Sequence, residues 1–534
     1  MTERSHLWIV WIATVLLAQA ALAQSPPGEL SQPEPAAAPA AAAAAPAPSV
    51  SGFQILLNEA KRLSSQGKYY DAALLFHKIL AEGNEADPAF QEAQYEMGVA
   101  LFQLGLYVSA FGYFDQVADR GPDHLRFRHT LPWLVRIHRV IPGERSSMLR
   151  MSSYPVEAYP ADLADEISFY VGQFYFYEGN LAKAREALDR VTPNSPSIYA
   201  RAMYLKGAVH VRLNEAGPAS EAFKEVLRFV QAHGRDVVDS KRLEEMTIMA
   251  LARIFYSTAQ YDTAVRYYDL VSDDSDQWLD SLFEKSWAYF QVQQYARALG
   301  NLHTVASPYF EEEFYPEAHV LKAVIFFKNC YYDEALETID PFYKEYYDVL
   351  KELEGTIKGQ TDPTRFYQYL AAISVKGGQY SLKVKKIFNA ALADRRVRSL
   401  FEFVVHINRE MAQLEELRKH PVARSLVDLL LPDLTAYRAL TMAEAGQLAH
   451  ERLQRVHKEL KGLLSQALRV RFEALNAQKG ILGEAARREQ VVSTSGTGGV
   501  PADVEHVLWP FDGEYWKDEL GSYYYPLESR CQVK

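Results

Sequence analysis

Cysteine is almost absent from this chain: the 534 residues include only two, so at most one disulfide can form within a molecule. The sequence also lacks a phosphate-binding loop, because GTGG at 496–499 is not followed by Gly-Lys-Ser/Thr and precedes no helical pattern. Excess positive charge is missing as well. The formal net charge is −11, which argues against nucleic acid as the main partner.

Residue patterns for catalysis or metal binding are missing too. No HExxH motif occurs, and His124, His129 and His138 are spaced by five and nine residues, so they do not share a helical face. The acidic run at 273–276 lacks the ligand pattern and the glycine of a calcium loop. We therefore expect no cofactor, no metal and no enzymatic activity.

One pattern is repeated seven times. A large or apolar residue is followed after three positions by alanine and after four more by another apolar residue, as in Tyr261, Ala264 and Tyr268. This spacing places all three on one helical face. A small residue lies twelve positions before each alanine, and a turn position lies five before it. The alanines are Ala72, Ala110, Ala184, Ala219, Ala264, Ala298 and Ala335; the turn positions are Gly67, Gly105, Gly179, Asn214, Ala259, Gln293 and Cys330.

Small residues on successive helices allow a close antiparallel approach, and the frame resembles the tetratricopeptide repeat, a helix-turn-helix unit of about 34 residues. Such units must stack to bury their apolar faces. The fold class predicted is all-α: a solenoid over 51–345, then a long coiled-coil-like helix and an aromatic tail. The doubled interval between Ala110 and Ala184 predicts one diverged helix pair at about 122–158, and a polar insert occupies 231–241.

The first 50 residues read as a leader and a spacer. Residues 7–18 form an apolar run too short for a typical membrane span, and Ala21-Leu22-Ala23 matches a signal-peptidase site. We expect export to the periplasm with cleavage after Ala23; the alternative is an uncleaved anchor. Residues 24–50 are rich in proline and alanine, which predicts a disordered linker.

The C-terminal third departs from the repeat. Residues 346–430 are helical by pattern, and a long helix is expected over 431–490. Within it, apolar residues from Leu453 to Ala474 alternate in steps of three and four, as in a coiled coil. This seam can pack on the same chain or join two copies. Residues 491–534 contain a Gly/Ser linker and an acidic aromatic tail, whose expected contact residues are Trp509, Phe511, Tyr515 and Trp516.

Three outcomes are open for the two cysteines. Cys330 falls at the last repeat turn and Cys531 near the end of the tail. If the tail folds back on the late repeats, the two sulfurs can form an intramolecular disulfide in an oxidising compartment. Two free thiols or an intermolecular bond are the alternatives.

Aromatic residues are abundant on the first helix of each pair. In tetratricopeptide repeats this helix lines the concave face, so the resemblance implies a groove that binds protein partners. Some of these side chains can instead be ordinary packing between helices. The residues placed in the groove are Phe169, Phe176, Tyr177, Tyr204, Arg212, Met249, Arg253, Tyr256, Phe283, Trp287, Phe290, Phe327 and Lys328. A run of six arginines between Arg126 and Arg150 is a second candidate surface, for an acidic partner or lipid headgroups.

The overall layout resembles envelope repeat proteins of deltaproteobacteria, including myxobacterial gliding-motility proteins. It implies a periplasmic scaffold that binds protein partners in a cell-envelope complex and meets the membrane only through them. The alternative is an outer-membrane or cell-wall assembly factor that holds client peptides in the groove. The sequence does not determine the oligomeric state.

Overall fold

The computed structural model describes residues 52–141, 146–310, 313–376, 384–385, 387–388, 394–485 and 513–531. The regular elements in these ranges are α-helices and a few short 3-10 turns. The expected leader and most of the expected linker lie outside them. The chain divides into two compact units, the first made of 1–240 and 394–447 and the second of 241–393 and 448–534. The repeats expected as one solenoid over 51–345 are therefore shared between both units.

Antiparallel helix pairs build the first unit. Those described in its N-terminal part are α1 (Gly52–Ser65), α2 (Tyr69–Glu82), α3 (Pro88–Gln103), α4 (Tyr107–Arg120), α5 (Phe127–Val140), α6 (Ser146–Ser152), α7 (Ala164–Tyr177), α8 (Leu181–Leu188), α9 (Pro196–Arg212) and α10 (Ala216–His233). The diverged stretch at 122–158 contains α5 and the short α6. Proline at the first position of α3 and α9 favours helix initiation there, because its missing N–H has no partner in a first turn anyway.

The same arrangement continues in the second unit. Its helices are α11 (Ser240–Ser257), whose first residue still belongs to the first unit, α12 (Tyr261–Tyr268), α13 (Trp278–Gln291), α14 (Tyr295–Val305), α15 (Pro316–Lys328), α16 (Tyr332–Gly359) and α17 (Pro363–Lys376). Two further helices are α18 (Arg395–Leu417), in the first unit, and α19 (Arg424–Ala485), which belongs to both. None of the described helices is long and apolar enough to cross a lipid bilayer.

The small-residue frame is a packing frame. All seven central alanines are buried, from Ala72 to Ala335. Where the preceding small residue is glycine, a Cβ there would lie 2.7 Å from the apolar side chain sixteen residues later: Phe114 for Gly98, Leu188 for Gly172 and Phe223 for Gly207. The large residue that ends each frame thus occupies the space that the missing side chain leaves on the partner helix.

All seven turn positions adopt positive φ, between 59° at Asn214 and Ala259 and 80° at Gly179. In each turn the next N–H bonds back to a carbonyl five residues earlier, for example Gln260 N to Phe255 O at 2.8 Å. This bond is typical of the Schellman motif, which ends a helix with one left-handed residue. Glycine suits that conformation best, yet Ala259, Gln293 and Cys330 also accept it because the flanking helices fix the backbone.

We expect Gly207→Ala to destabilise the first unit by about 1–3 kcal/mol, because its Cβ overpacks against Phe223, which is only 2% exposed. The matched control is Gly217→Ala on the adjacent helix. A Cβ at Gly217 meets nothing within 4 Å, so this change should be neutral or stabilising by up to about 1 kcal/mol. Denaturant unfolding followed by circular dichroism measures both; equal effects would contradict the packing frame.

In the first unit, α18 and the first part of α19 return to pack on the repeats. The Glu410 carboxylate on α18 accepts hydrogen bonds from the N–H groups of Val108 at 2.9 Å and Ser109 at 2.8 Å. These donors belong to the first turn of α4, where helical N–H groups have no internal partner. Burial raises the pKa of the Glu410 carboxyl, although the N–H groups act in the opposite direction. The carboxylate therefore caps a helix from about 300 residues away.

In the second unit, α19 runs antiparallel to α16. Arg471 Nε donates to Asp340 Oδ1 at 2.6 Å, Gln478 bonds Asp333, and His450 Nε2 lies 3.2 Å from the Ile357 carbonyl. Residue numbers therefore rise along one helix as they fall along the other, as antiparallel helices require. The seam residues Leu453, Val456, Leu460, Leu463, Ala467, Val470 and Ala474 are all buried within the single chain. The seam is thus covered by its own chain.

Two expected boundaries differ from the structure. The long helix begins at Arg424 and continues through Pro432, whereas the sequence placed its start at 431 because proline disfavours a helix interior. The last repeat helix, α16, continues past 345 to Gly359 through Pro341. In both cases extensive packing outweighs the loss of one backbone hydrogen bond.

Candidate interaction surfaces

The groove residues expected in the first unit are partly exposed. Tyr177 is at the surface, and Phe176 and Tyr204 are half-buried. The Arg212 guanidinium lies over the Phe176 ring at 4.9 Å and donates to the Phe176 carbonyl at 2.6 Å. Burial lowers the pKa of Arg212. Phe169, in contrast, is buried in a core cluster with Leu188 and other residues. These contacts join neighbouring helices of the stack.

In the second unit four of the eight expected groove residues are buried. These are Met249, Tyr256, Trp287 and Phe290, Trp287 with 6% of its surface exposed. Phe283 packs on Tyr315, Phe327 packs on Tyr332, and Lys328 Nζ lies 5.1 Å from the Phe290 ring centre. The aromatic side chains pack between helices, which is the packing alternative that the sequence left open, whereas Lys328 is exposed.

Arg253 on α11 belongs to a hydrogen-bonded network with Tyr268 of α12 and Glu284 of α13. Its guanidinium donates to both Glu284 oxygens, with Nη2 2.7 Å from Oε1, and the Tyr268 hydroxyl donates to Glu284 Oε2 at 3.0 Å. Burial alone lowers the pKa of Arg253, but the Glu284 carboxylate outweighs it and raises that pKa. Nearby, burial raises the pKa of Asp280, which accepts from Tyr315 at 2.7 Å. Arg253 is therefore satisfied within its own unit.

The C-terminal tail lies on the second helices of the late repeats. Described from Gly513 to Cys531, it runs antiparallel to α14 and contacts a face formed by Ala296, Gly300, His303 and Thr304. Tyr515 stacks on the His303 ring, with centroids 4.1 Å apart and planes 3° apart. Trp516 is 52% exposed. Trp509 and Phe511 lie outside the described residues.

Backbone groups of the tail also contact α14 directly. Gly521 N donates to Thr304 Oγ1 at 2.9 Å, and Tyr525 N to the Ala296 carbonyl at 3.2 Å. At Gly300 the approach is so close that a Cβ would lie 1.7 Å from the Tyr523 carbonyl oxygen. Only glycine at this position allows the tail to lie on the helix.

The end of the tail is anchored at the start of α16. Arg530 N donates to the Asn329 carbonyl at 3.1 Å, and its guanidinium lies 3.9 Å from the Tyr331 ring centre and pairs with Glu334 at 3.2 Å. Cys330 and Cys531 form a disulfide, with Cα atoms 5.2 Å apart and a sequence separation of 201. The left-handed turn at Cys330 is thus also the point of covalent attachment.

A cleft of about 470 Å³ lies beside the tail. Tyr515 and Tyr525 of the tail form part of its wall, and α14, α15 and α16 form the rest, including Lys322 and Glu337. Burial lowers the pKa of Lys322. If the tail were displaced, the cleft would lose the part of its wall that Tyr515 and Tyr525 form.

Glu317 on α15 predicts a pH dependence for the second unit. Burial first, and the nearby Glu459 second, raise the pKa of its carboxyl from 4.5 to about 7. Folding therefore favours the protonated form. The associated stability is fully present below about pH 4.5 and is lost as the pH rises through about 7.

At pH 8 we expect Glu317→Gln to stabilise the second unit by about 1–3 kcal/mol, since the amide does not ionise. The variant should also flatten the stability profile between about pH 4.5 and 7. Thermal melts across this range measure both effects. Glu473→Gln, an exposed position on α19, is the control; an equal gain there would contradict the assignment.

The arginine run in the first unit separates into two groups. Arg126 pairs with Glu92, Arg139 with Glu166, and Arg150 with Asp115 and Asp119. Arg145 lies outside the described residues. Arg128 and Arg136 instead line a cleft of about 580 Å³ between α5, Tyr95 of α3 and the loop 157–161.

The sequence reasoning named a tail that folds back on the late repeats and the arginine run as a candidate surface, but it missed residues that complete these two surfaces. The tail strip is marked by Ala296, Gly300 and Thr304, a second line of small residues spaced by four on α14. The cleft is marked by Arg128, His129, Pro132, Trp133 and Arg136, which share one face of α5. Neither line belongs to the repeat frame, so the frame alone did not identify them.

Comparison with known proteins gives a partial family match. The tetratricopeptide repeat model matches residues 57–124, which include most of α1–α4. Among curated proteins, no sequence matches the chain.

The solved structures that match this chain do so at low identity and low TM-score. The apo form of RapI is 13% identical with a TM-score of 0.36, covering 64% of this chain and 99% of its own. A tetratricopeptide repeat protein from Parabacteroides merdae is 13% identical with a TM-score of 0.25, covering 54% and 91%. The APC/C hetero-tetramer Cut9–Hcn1 is 13% identical with a TM-score of 0.21, covering 78% and 97%.

Proposed function

We propose that this chain is a non-catalytic adaptor that binds protein partners through its helix-hairpin repeats. The observation that carries the proposal is the seating of 513–531 on α14–α16. There a non-helical peptide is held by backbone hydrogen bonds at Ala296 and Thr304, by stacking on His303 and by a glycine that allows close approach. The repeat surface thus has the features needed to recognise a peptide, here one from its own chain.

The proposed location is the periplasm. A disulfide such as Cys330–Cys531 persists in oxidising compartments and is rare in the cytosol. The apolar run at 7–18 and the cleavage site after Ala23 supply the export route. Membrane association would then occur through partners.

The finer proposal is membership of a multiprotein cell-envelope complex, a gliding-motility machine among the candidates. It rests on the layout of leader, Pro/Ala-rich linker, repeats, long helix and aromatic tail. A competing function is an outer-membrane or cell-wall assembly factor that holds a client segment. A client segment that binds in the same manner as the non-helical tail on α14 would support this alternative.

Fractionation and crosslinked purification test the proposal. The full-length protein, carrying a C-terminal tag and expressed from its own promoter, should appear in the periplasmic fraction. Its mass should be that of the chain cleaved after Ala23. Crosslinked cells should yield the same envelope proteins in stable ratios. Stable partners argue for the scaffold, whereas many partners in small amounts argue for the client-binding factor. A cytoplasmic protein with two alkylatable thiols would contradict both.

A further inference from the structure

We infer that the cleft between α5 and the loop 157–161 binds an acidic, aromatic-containing segment of a partner protein. This inference rests on the proposed adaptor function and names the chemistry of one partner. The cleft is built by one face of α5, which contributes Arg128, Pro132, Trp133 and Arg136, together with Tyr95 of α3. Its volume of about 580 Å³ is in the range of pockets that enclose a few side chains.

Charge is the first reason. Within the part of the chain that the structure describes, neither Arg128 nor Arg136 forms an ion pair, whereas Arg126, Arg139 and Arg150 of the same run each do. Both arginines are exposed. Glu157 is the carboxylate that lines the opposite wall. Two guanidinium groups that form no ion pair outnumber this one carboxylate, so the cleft is a local basic site, in a protein of net charge −11, that a partner's carboxylate can bind in a bidentate manner.

A rigid aromatic platform is the second reason. Trp133 stacks on Phe114 with centroids 5.7 Å and planes 9° apart, and its Nε1 donates to the Tyr95 hydroxyl at 3.0 Å. The Arg136 guanidinium lies 4.5 Å from the Trp133 ring centre, at the exposed end of this stack. Because the platform is already ordered, a ligand loses little free energy in fixing it.

The shape favours a protein segment over a membrane. Lipid headgroups bind best to broad basic surfaces flanked by exposed apolar side chains. Here the basic groups line a concave site whose other walls are Tyr95, Tyr159 and prolines at 132 and 160. Such walls suit the rings and prolines of a peptide whose carboxylates reach the arginines.

Three short fluorescein-labelled peptides test the inference on the full-length protein. Each contains two tyrosines and a proline, and their remaining positions carry Asp/Glu, the matching Asn/Gln, or Lys. By fluorescence anisotropy we expect the acidic peptide to bind at least about tenfold more tightly than the neutral one, with affinity falling as salt rises. The basic peptide should not bind.

Paired variants locate the effect. Arg128→Gln with Arg136→Gln should weaken binding of the acidic peptide by about tenfold or more, whereas Arg128→Lys with Arg136→Lys should restore part of it. Arg185→Gln on α8 with Arg190→Gln just after it makes the same charge change elsewhere in the first unit and should have little effect. Circular dichroism confirms that each variant remains folded.

Either of two peptide results overturns the inference: equal affinities for the acidic and neutral peptides, or an equal loss in the Arg185/Arg190 variant. Phosphatidylglycerol vesicles that bind the wild type, but not the Arg128/Arg136 glutamine variant, would overturn it in favour of a lipid surface. Peptide binding in vitro does not depend on export. A failed fractionation therefore leaves this result standing, and a failed peptide assay leaves the adaptor proposal standing.

Discussion

Cys531→Ser should lower the stability of the second unit by about 2–5 kcal/mol, which corresponds to a fall of roughly 5–15 °C in its thermal midpoint. The bond it removes closes a loop with a sequence separation of 201 residues. Long loops lose the most conformational freedom when they are closed in the unfolded chain. Differential scanning calorimetry of oxidised protein should resolve this loss, and the first unit should melt as before.

Two comparisons control this experiment. Treating the wild type with a phosphine reductant should reproduce the Cys531→Ser melt. Cys330→Gly breaks the same bond but places glycine where φ is 64°, so its loss should be smaller by about 0.5–1 kcal/mol. If all three samples melt together with the oxidised wild type, the disulfide does not stabilise the folded state.

Gly300→Val should displace the tail while leaving the repeats folded. The new Cβ would lie only 1.7 Å from the Tyr523 carbonyl oxygen, which is a severe clash. Neither backbone can move away without breaking the hydrogen bonds at Ala296 and Thr304. A steric cost of about 1–3 kcal/mol raises the undocked population by about fivefold to 150-fold. Chymotrypsin, which cleaves after aromatic residues, should therefore cut after Tyr523 and Tyr524 correspondingly faster.

Gly355→Val is the matched control, because it places the same side chain on a helix of the same unit where a Cβ meets nothing within 4 Å. Its tail should remain as resistant as that of the wild type. A second measurement is the oxidised fraction in a glutathione buffer. It should fall in Gly300→Val, since a displaced tail no longer holds Cys531 beside Cys330. Unchanged proteolysis and oxidation would contradict the docked tail.

The repeat geometry could be predicted because its causes are local. A turn position such as Ala259 and a small residue such as Gly207 are fixed by helix spacing within about 34 residues. All seven turn positions have left-handed backbone, although three of them are neither glycine nor asparagine. The position in the frame therefore identified the turn where residue type alone would not have done so.

The remaining features depend on contacts that a local pattern does not contain. Glu410 caps α4 across about 300 residues, and nothing near it in sequence indicates that target. The groove assignment illustrates a related difficulty. Trp287 and Phe290 have the spacing of an exposed aromatic wall, but the same spacing serves side chains that pack between adjacent helices. Periodicity indicates which residues share one face of a helix, but it does not indicate what covers that face.

The disulfide between the last repeat turn and the tail also makes most of the C-terminal half of the polypeptide a covalent ring. Residues 394–447, which belong to the first unit, are part of this ring, because they lie between Cys330 and Cys531 in sequence. A single protease cut anywhere from 331 to 530 would therefore leave both fragments joined. The nicked protein would run near its intact mass on a non-reducing gel and separate into two bands only after reduction.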